Sequence, residues 1–274
     1  MGAAGFGLIA ALGFAAGSIV TKRLVGRFDF AQLIGPAFAL NAMWLFPLVP
    51  FVEWKWTGPI LLLHAVSVAA ISLTSWAIFD LFQHGAASAV TTAQATSPLA
   101  TVLGVAVLVP ATFSWVETAV AVVVVGAVTA ALSDSFPSIG RARALALAAA
   151  VAGGTGLTTV FARQLVDEGL GLVEIYTTRT VVAAILFLVL FPPLSIDRSA
   201  MPALLLRSAV MSTAWAASIL GVQVGSPTVV QTMAATTPLW VLSWEFSRSG
   251  RRPPARVLVG ALLVAAGVVV VLIL

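Results

Sequence analysis

The chain is built almost entirely of apolar segments about 20 residues long, and the loops between them are short. A helix needs about 20 apolar residues to cross a membrane. Runs such as residues 120–128, which contain only Val, Ala and Gly, lack the period-two alternation of transmembrane barrel strands. Only 9% of the 274 residues are charged, against about 25% in soluble domains. The sequence therefore predicts an all-α membrane protein.

Turn-forming and charged residues divide the chain into ten predicted transmembrane helices. Ten helices of about 20 residues leave only short loops and no room for a soluble domain. The predicted spans cover approximately residues 2–21, 31–52, 60–82, 88–109, 115–133, 143–163, 172–192, 203–222, 227–246 and 256–274.

One polar stretch of the sequence occurs twice. Residues 83–99 (QHGAASAVTTAQATSPL) return as residues 223–239 (QVGSPTVVQTMAATTPL), and eight of the 17 aligned positions are identical. The offset of 140 is about half of the chain, which indicates one duplication of a long unit. A unit of five helices has an odd number of spans, so its second copy must enter the membrane in the opposite orientation. We predict two inverted five-helix repeats in residues 1–134 and 143–274, joined by a linker in 135–142.

The distribution of basic residues predicts which side of the membrane each loop occupies. If the N-terminus lies outside, 11 of the 14 Lys and Arg residues, including Arg207, lie on the cytoplasmic side, where positive charge is normally concentrated. We therefore predict that both termini lie outside a prokaryotic-type cytoplasmic membrane. The net charge of +4 follows from this topology, so we expect no nucleic-acid partner.

Each repeated stretch opens with a Gly-containing turn and continues into an apolar helix that carries small hydroxyl residues. Its polar part ends at Pro98 in the first copy and at Pro238 in the second. A proline within a membrane helix breaks it and frees a backbone carbonyl, which neighbouring helices or a water-lined cavity must satisfy. Two such broken helices in equivalent halves point to a central substrate site.

The polar side chains of these two helices are candidates for that site. Hydroxyl and amide groups can orient a neutral or zwitterionic ligand, although they can equally hydrogen-bond neighbouring helices. The candidate substrate-binding residues on the two helices are Thr91, Gln94, Ser97, Gln231, Thr232 and Thr236.

Arg179 lies about a third of the way into the predicted span 172–192. A charge inside the membrane costs roughly 2.5–3.5 kcal/mol on insertion scales and is expected to face the interior of the bundle. We predict that Arg179 binds an anionic group of the substrate. The structural alternative is that it pairs with Glu174 or with backbone carbonyls.

Asp80, Trp76 and Trp215 are further candidates. Asp80 lies inside the predicted span 60–82, near its cytoplasmic end, and a buried carboxylate can carry a proton. The alternative is a solvated residue or one linked to His84. Trp76 and Trp215 occupy nearly equivalent positions, at an offset of 139. They can stack on an aromatic or cationic group of the substrate, or pack against lipid.

Ten short spans in two inverted halves, with paired Pro-Leu helices at positions four and nine, resemble the EamA-type members of the drug/metabolite transporter superfamily. The motifs that carry the resemblance are segments 96–99 (TSPL) and 236–239 (TTPL), Arg179 in TTRT, and the glycines Gly260 and Gly267. The resemblance implies a helical bundle with a central substrate cavity and alternating access by rocking of the two halves. It does not identify a substrate.

The sequence contains no Ser-His-Asp set, catalytic carboxylate pair, Walker loop or metal-ligand cluster, so we expect no enzymatic activity, cofactor or metal. By family analogy we predict a secondary transporter, and an exporter, of a small polar or amphiphilic metabolite such as an amino acid. The alternatives are a flippase for a lipid-linked intermediate and a non-transporting structural or regulatory membrane subunit. The expected partners are the small-molecule substrate and membrane lipid. The small residues Gly13 and Gly17 serve packing within the bundle or, alternatively, a homodimer contact.

Overall fold

The computed structural model describes residues 2–85, 87–131, 141–193 and 198–249. Over these ranges the chain forms helices and no β-strand. The α-helices, in chain order, are α1 (Ala3–Val25), α2 (Phe30–Leu45), α3 (Gly58–His84), α4 (Ala87–Ala95), α5 (Ser97–Leu108), α6 (Trp115–Ala131), α7 (Arg141–Asp167), α8 (Leu172–Leu190), α9 (Met201–Val224), α10 (Pro227–Ala234) and α11 (Thr237–Ser249). Short 3-10 helices occupy Phe46–Phe51, Pro110–Thr112 and Arg198–Ala200.

The helices coincide with the predicted spans. The first nine predicted spans are helical over most of their described residues, although the fourth and ninth are split into α4–α5 and α10–α11; the last two residues of the fifth, 132 and 133, lie outside the described residues. The tenth predicted span, 256–274, and most of the predicted linker, 135–142, lie outside the described residues.

Within the part of the chain that the structure describes, seven helical segments are long and apolar enough to cross a membrane. A chain with this many such segments is an integral, multi-pass membrane protein. The segments are Ala3–Val25, Phe30–Phe51, Gly58–His84, Val90–Leu108, Ala142–Asp167, Leu172–Leu190 and Arg198–Val224.

Side-chain caps determine where several helices begin. The first N–H groups of a helix have no partner within it, and a nearby side-chain oxygen can accept from them. Asp29 accepts from the backbone N–H two residues later (3.0 Å) before α2, and Ser226 does the same (3.2 Å) before α10. At the start of α8 the Glu174 carboxylate accepts from the Gly171 N–H (2.5 Å). Local polar residues therefore place these helix starts.

Small residues allow the helices to approach one another closely. α1 lies along α9, and α7 lies along α3 and α5. A Cβ at Gly13 would lie 2.8 Å from the Cβ of Ala214 in α9, and one at Gly156 would lie 2.8 Å from the carbonyl oxygen of Ser97 in α5. Gly17 also faces α9. The glycines of α1 thus serve packing within the bundle, as small residues do where lipid supplies no hydrophobic drive.

The two broken helices have the same hydrogen bonds at the break. In the first, the N–H of Thr96 donates to the Ala93 carbonyl (3.3 Å), and its Oγ1 donates to the same oxygen (2.8 Å). In the second, Thr236 makes both bonds to Met233 (3.1 and 2.8 Å). Each pair in the second copy lies 140 residues after its counterpart, so the repeated sequence produces a repeated turn.

Pro98 and Pro238 are the second residues of α5 and α11, and both are buried. Proline has no N–H to donate to the carbonyl four residues earlier, so it is tolerated where a new helix starts. The carbonyl that Pro238 leaves free belongs to Ala234, and it accepts from Oγ1 of Thr237 (2.6 Å). The hydroxyl thus satisfies the backbone group that the proline releases.

Candidate functional site

A cavity lies between the helices, beside both helix breaks. Its volume is about 110 Å³, and a single buried water needs roughly 10–15 Å³ of such space. Residues of α1, α3, α7, α8 and α9 form most of its wall. The first break contributes Gln94 and Ser97, and the second contributes Gln231, Ala234 and Thr237. The cavity therefore has room for several waters or for part of a small organic molecule.

Arg179 lies in the wall of this cavity, on α8, and only 4% of the residue is exposed. Its Nη2 donates to the carbonyl of Thr158 (3.1 Å), whereas its Nε has no hydrogen-bond partner. No carboxylate of the described residues lies within ion-pair distance of it. Glu174, the acidic partner considered from the sequence, caps the start of α8 instead. The guanidinium is therefore a buried cation whose charge is not neutralised by this part of the chain.

Arg207 is a second buried cation in the cavity wall, on α9, and it too is 4% exposed. Its Nε donates to Oγ1 of Thr21 (2.8 Å), its guanidinium lies 5.0 Å from the ring centre of Phe79, and its Nη1 has no partner. The charge count made from the sequence assigns Arg207 to the cytoplasmic loops, and this assignment is wrong. Its position inside the predicted span 203–222 is the signal that marks it as an intramembrane charge.

An amide and hydroxyl network joins the two helix breaks to α7. Oγ of Ser97 donates to Oε1 of Gln231 (3.3 Å). The Gln231 amide nitrogen donates to the Thr155 carbonyl (3.3 Å) and to Oγ1 of Thr159. Gln94 also lines the cavity, and its buried Oε1 has no partner among the described residues. Three of the predicted site residues, Gln94, Ser97 and Gln231, are thus brought together around the cavity.

The other hydroxyl candidates do not line the cavity. Thr91 donates to the Ala87 carbonyl (3.0 Å) within its own helix, and Thr236 donates to Met233 at the helix break (2.8 Å). Thr232 is buried, and its hydroxyl has no partner among the described residues. A threonine hydroxyl that bonds a carbonyl of the preceding turn is satisfied locally, which is why Thr91 and Thr236 contribute to helix structure rather than to the cavity wall.

The two tryptophans that the sequence places at nearly equivalent positions have different surroundings. Trp215 lines the cavity and packs against Phe38 and Tyr176, with ring centres 5.4 and 6.4 Å apart. Trp76 is partly buried against the hydrophobic core and does not line the cavity. Trp215 therefore supplies an aromatic surface to the cavity, whereas Trp76 packs between helices.

Asp80 is buried near the end of α3, outside the cavity wall. Both of its carboxylate oxygens accept from Nη2 of Arg143 in α7, at 2.8 and 3.1 Å. Nδ1 of His84 lies 3.5 Å from Oδ1, as the His84-linked alternative from the sequence expects. The ion pair ties the end of α3 to the start of α7. Sequence reasoning missed Arg143 because it is 63 residues away from its partner.

Comparisons with known proteins agree with this architecture. A solved crystal structure of a protein with 15% sequence identity superposes with a TM-score of 0.78, covering 98% of each chain; at this identity the similarity concerns the fold alone. No curated protein matches the sequence. Residues 142–273, slightly less than half of the chain, match the EamA-like transporter family. The resemblance to the drug/metabolite transporter superfamily is thereby confirmed over residues 142–273, which are similar to EamA-like transporters.

Proposed function

We propose that this protein is a secondary transporter that exports a small polar or amphiphilic metabolite with an anionic group, such as an amino acid. The observation that carries the proposal is Arg179, a buried guanidinium in the cavity wall with no acidic partner among the described residues. An uncompensated charge in a membrane is costly, and such residues mark substrate or ion pathways. A carboxylate or phosphate that enters the cavity would supply the missing charge through strong, charge-assisted hydrogen bonds.

Transport by alternating access requires a site that two halves of the molecule share, and we propose ten helices in two inverted five-helix repeats. Three features support this arrangement. The two helix breaks have equivalent hydrogen bonds, and both breaks border the cavity. If the repeat relates α1 to α7 and α3 to α9, the packing of α1 on α9 is equivalent to that of α7 on α3. The family match starts at residue 142, next to the predicted start of the second repeat.

Polar contacts join helices at both ends of the bundle. At one end the Asp80–Arg143 ion pair ties α3 to α7, and the Lys22 ammonium donates to the Phe82 carbonyl (2.7 Å), tying α1 to α3. At the other end, Ser226 donates to the Glu117 carboxylate (2.5 Å). We propose that rocking of the halves breaks the contacts of one end at a time, so that the cavity opens to alternate sides.

Asp80 is also the residue that we propose for proton coupling. Protonation of its carboxylate would remove the charge that Arg143 binds, and would weaken the contact between α3 and α7. A proton taken up at this position would then favour the conformation in which that end is open.

We further propose that both termini face the outside of a prokaryotic-type cytoplasmic membrane. With Arg207 reassigned to the membrane interior, ten basic residues remain on the cytoplasmic side and only Lys55 and Arg163 lie outside, so the positive-inside rule still favours this orientation. A homodimer remains a proposal that rests on no contact of the described residues.

The cavity supports the carrier over the two alternatives. A structural subunit needs no polar chamber, whereas here both helix breaks and two arginines border an internal space. A flippase needs a largely apolar path for a lipid tail, and the buried guanidinium groups of Arg179 and Arg207 argue against such a path.

The proposal is tested by uptake and binding assays on purified protein with a panel of labelled metabolites, each anion paired with its neutral ester. We expect the Arg179→Gln variant to lose affinity for the anion while it remains monodisperse. Arg179→Lys should recover only part of the affinity, because lysine cannot reproduce the bidentate fork. Arg27→Gln, in an exposed turn after α1, is the matched control and should behave like the wild type. A well-folded Arg179→Gln protein with unchanged affinity would remove Arg179 from the site and favour a neutral or cationic substrate.

A further inference from the structure

The cavity has two arginines in its wall, and the second one bears on the identity of the substrate. Both lie on long membrane-crossing helices, Arg179 on α8 and Arg207 on α9, and both are almost fully buried. Neither forms an ion pair with a carboxylate of the described residues. The undescribed C-terminal residues 250–274 contain no Asp or Glu. Two positive charges therefore border one internal space, and neither the described residues nor residues 250–274 supply a carboxylate that pairs with them.

Two other arginines on helices form ion pairs. Arg143 binds Asp80 at 2.8 Å, and Arg163 binds Asp167 at 2.9 Å. Burying an unpaired charge costs several kcal/mol, far more than leaving one at a surface. A protein that keeps two unpaired charges buried at a cavity is expected to receive the compensating charge from a ligand.

The two arginines approach the cavity from opposite sides of the membrane. Consecutive membrane-crossing helices run in opposite directions, so the starts of α8 and α9 lie at opposite faces. At a rise of 1.5 Å per residue, Arg179 lies about 10 Å along α8 and Arg207 about 9 Å along α9. In a hydrocarbon layer about 30 Å thick, their Cα atoms are therefore separated by on the order of 10 Å along the membrane normal.

Apolar side chains of α9 line the cavity next to Arg207. Met211 and Trp215 follow Arg207 at intervals of four residues and line the same cavity, because positions i, i+4 and i+8 share one face of a helix. Trp215 packs against Tyr176, which lies one turn before Arg179 on α8. A molecule that extends from one arginine to the other would place an apolar middle against Met211 and Trp215.

We infer that Arg207 is a second anion-binding residue, so that the substrate is an organic dianion with an anionic group at each end of a short apolar body. The shared chemistry is a pair of carboxylates, or a carboxylate and a phosphate. Arg207 already donates to Thr21 through Nε, and its Nη1 has no hydrogen-bond partner, so the guanidinium has a donor left for a ligand. This inference rests on the proposed function and adds to it the requirement for the second charge.

Binding assays with dicarboxylates test the inference. The probes are succinate, adipate and suberate, each compared with its monomethyl ester, and binding is followed by tryptophan fluorescence and calorimetry on the full chain in nanodiscs. We expect the wild type to bind at least one dicarboxylate about tenfold or more tightly than its monoester, because the second charge-assisted contact is lost in the ester. A matching series with one carboxylate replaced by phosphate distinguishes the two kinds of dianion.

The variants separate this inference from the proposed function. Arg207→Gln should lower dicarboxylate affinity to about that of the monoester, whereas Arg179→Gln should weaken the binding of both the dicarboxylate and the monoester. If Arg207→Gln does not fold, Arg207→Lys keeps the charge and should retain part of the preference. If the wild type binds monoesters as tightly as every diacid, and Arg179→Gln still weakens that binding, the second anion site alone is overturned. A wild type that binds no anion would overturn the proposed function itself.

Discussion

Four arginines of this molecule lie in two contrasting environments. At the helix ends Arg143 and Arg163 bind Asp80 and Asp167, and their side chains are 58% and 23% exposed. In the cavity wall Arg179 and Arg207 are almost fully buried and have no carboxylate partner among the described residues. The difference is the opposite of what stability alone would favour, because the buried charges need neutralisation most. We interpret the paired arginines as residues that hold helices together, and we propose that the cavity arginines receive their compensating charge from a ligand.

The largest expected effect comes from giving a cavity arginine an acidic partner. Arg179 contacts the backbone of Thr158, so a carboxylate at that position is within reach of the guanidinium. We expect Thr158→Asp to reduce anion uptake by at least about tenfold, since an internal ion pair replaces the contact with substrate. The unfolding temperature should not fall, because the new carboxylate neutralises a buried charge. Uptake assays and thermal unfolding on the purified variant check both outcomes.

Thr158→Asn is the matched control for this substitution, because it has nearly the same shape and no charge. It should keep most of the anion uptake. Equal losses of anion uptake in the Asp and Asn variants would mean that shape rather than charge accounts for the effect. The difference between paired and cavity arginines would then not bear on transport.

The next effect concerns a paired arginine. Asp80→Asn removes the charge that Arg143 binds, and we expect the free energy of unfolding to fall by about 2 kcal/mol, since hydrogen bonds to charged groups contribute about that much. Arg143 is more than half exposed and can be solvated, so the loss should not reach the value for a fully buried pair. Denaturant unfolding in detergent measures the change. Asp167→Asn breaks a more exposed pair and should change stability by less than about 0.5 kcal/mol.

The same Asp80 variant tests proton coupling. If Asp80 carries the proton, Asp80→Asn should abolish uptake driven by a pH gradient and preserve substrate exchange. A variant that still concentrates substrate against its gradient would leave Asp80 with only the structural role that the ion pair already provides.

A smaller effect is expected from the neutral network that joins the two helix breaks. Gln231→Ala removes the contacts to Ser97, Thr155 and Thr159, and we expect substrate binding to weaken by roughly three- to tenfold, as for one neutral hydrogen bond. The salt dependence of binding should not change, because no charge is removed. Gln83→Ala, an exposed position in the first copy of the repeated stretch, is the control and should have no effect on binding measured by calorimetry.

The last prediction concerns orientation and leaves activity unchanged. If the start of α7, where Arg143 binds Asp80, lies on the cytoplasmic side, a Cys introduced at Ser138 or Ser249 should resist impermeant thiol reagents in intact cells. The chain has no native Cys, so the background labelling is low. Strong labelling at both positions would invert the proposed topology and place the Asp80–Arg143 pair at the outer face.

The helices themselves could be predicted from the sequence because insertion into a membrane depends on each segment separately. A run of about 20 apolar residues must become a helix in lipid, since no other local structure satisfies its backbone there. The predicted span 172–192 is helical over Leu172–Leu190, and 227–246 over the pair α10 and α11. The repeated TSPL and TTPL motifs likewise indicated both helix breaks, since a proline acts on the backbone of its own turn.

The site could be predicted only in part. Arg179, Gln94, Ser97, Gln231 and Trp215 line the cavity, and each carries a local signal such as a charge in a span or a place beside a predicted break. Four further candidates were chosen on the same kind of signal or for a hydroxyl group, but they do not line the cavity. They are Thr91, Thr232, Thr236 and Trp76.

The contacts between distant residues could not be predicted, because they depend on how the helices are rotated relative to one another. The partner of Asp80 is 63 residues away and that of Arg207 is 186 residues away, and no periodicity in one segment specifies such contacts. A helix in lipid is apolar on all sides, because the neighbouring helices and the lipid are both apolar, so its sequence does not show which face is buried. Composition and local pattern are therefore sufficient to predict a membrane protein with helix breaks at two equivalent points. Only the tertiary structure, through the rotation of each packed helix, determines which arginines face the cavity and which bind a carboxylate.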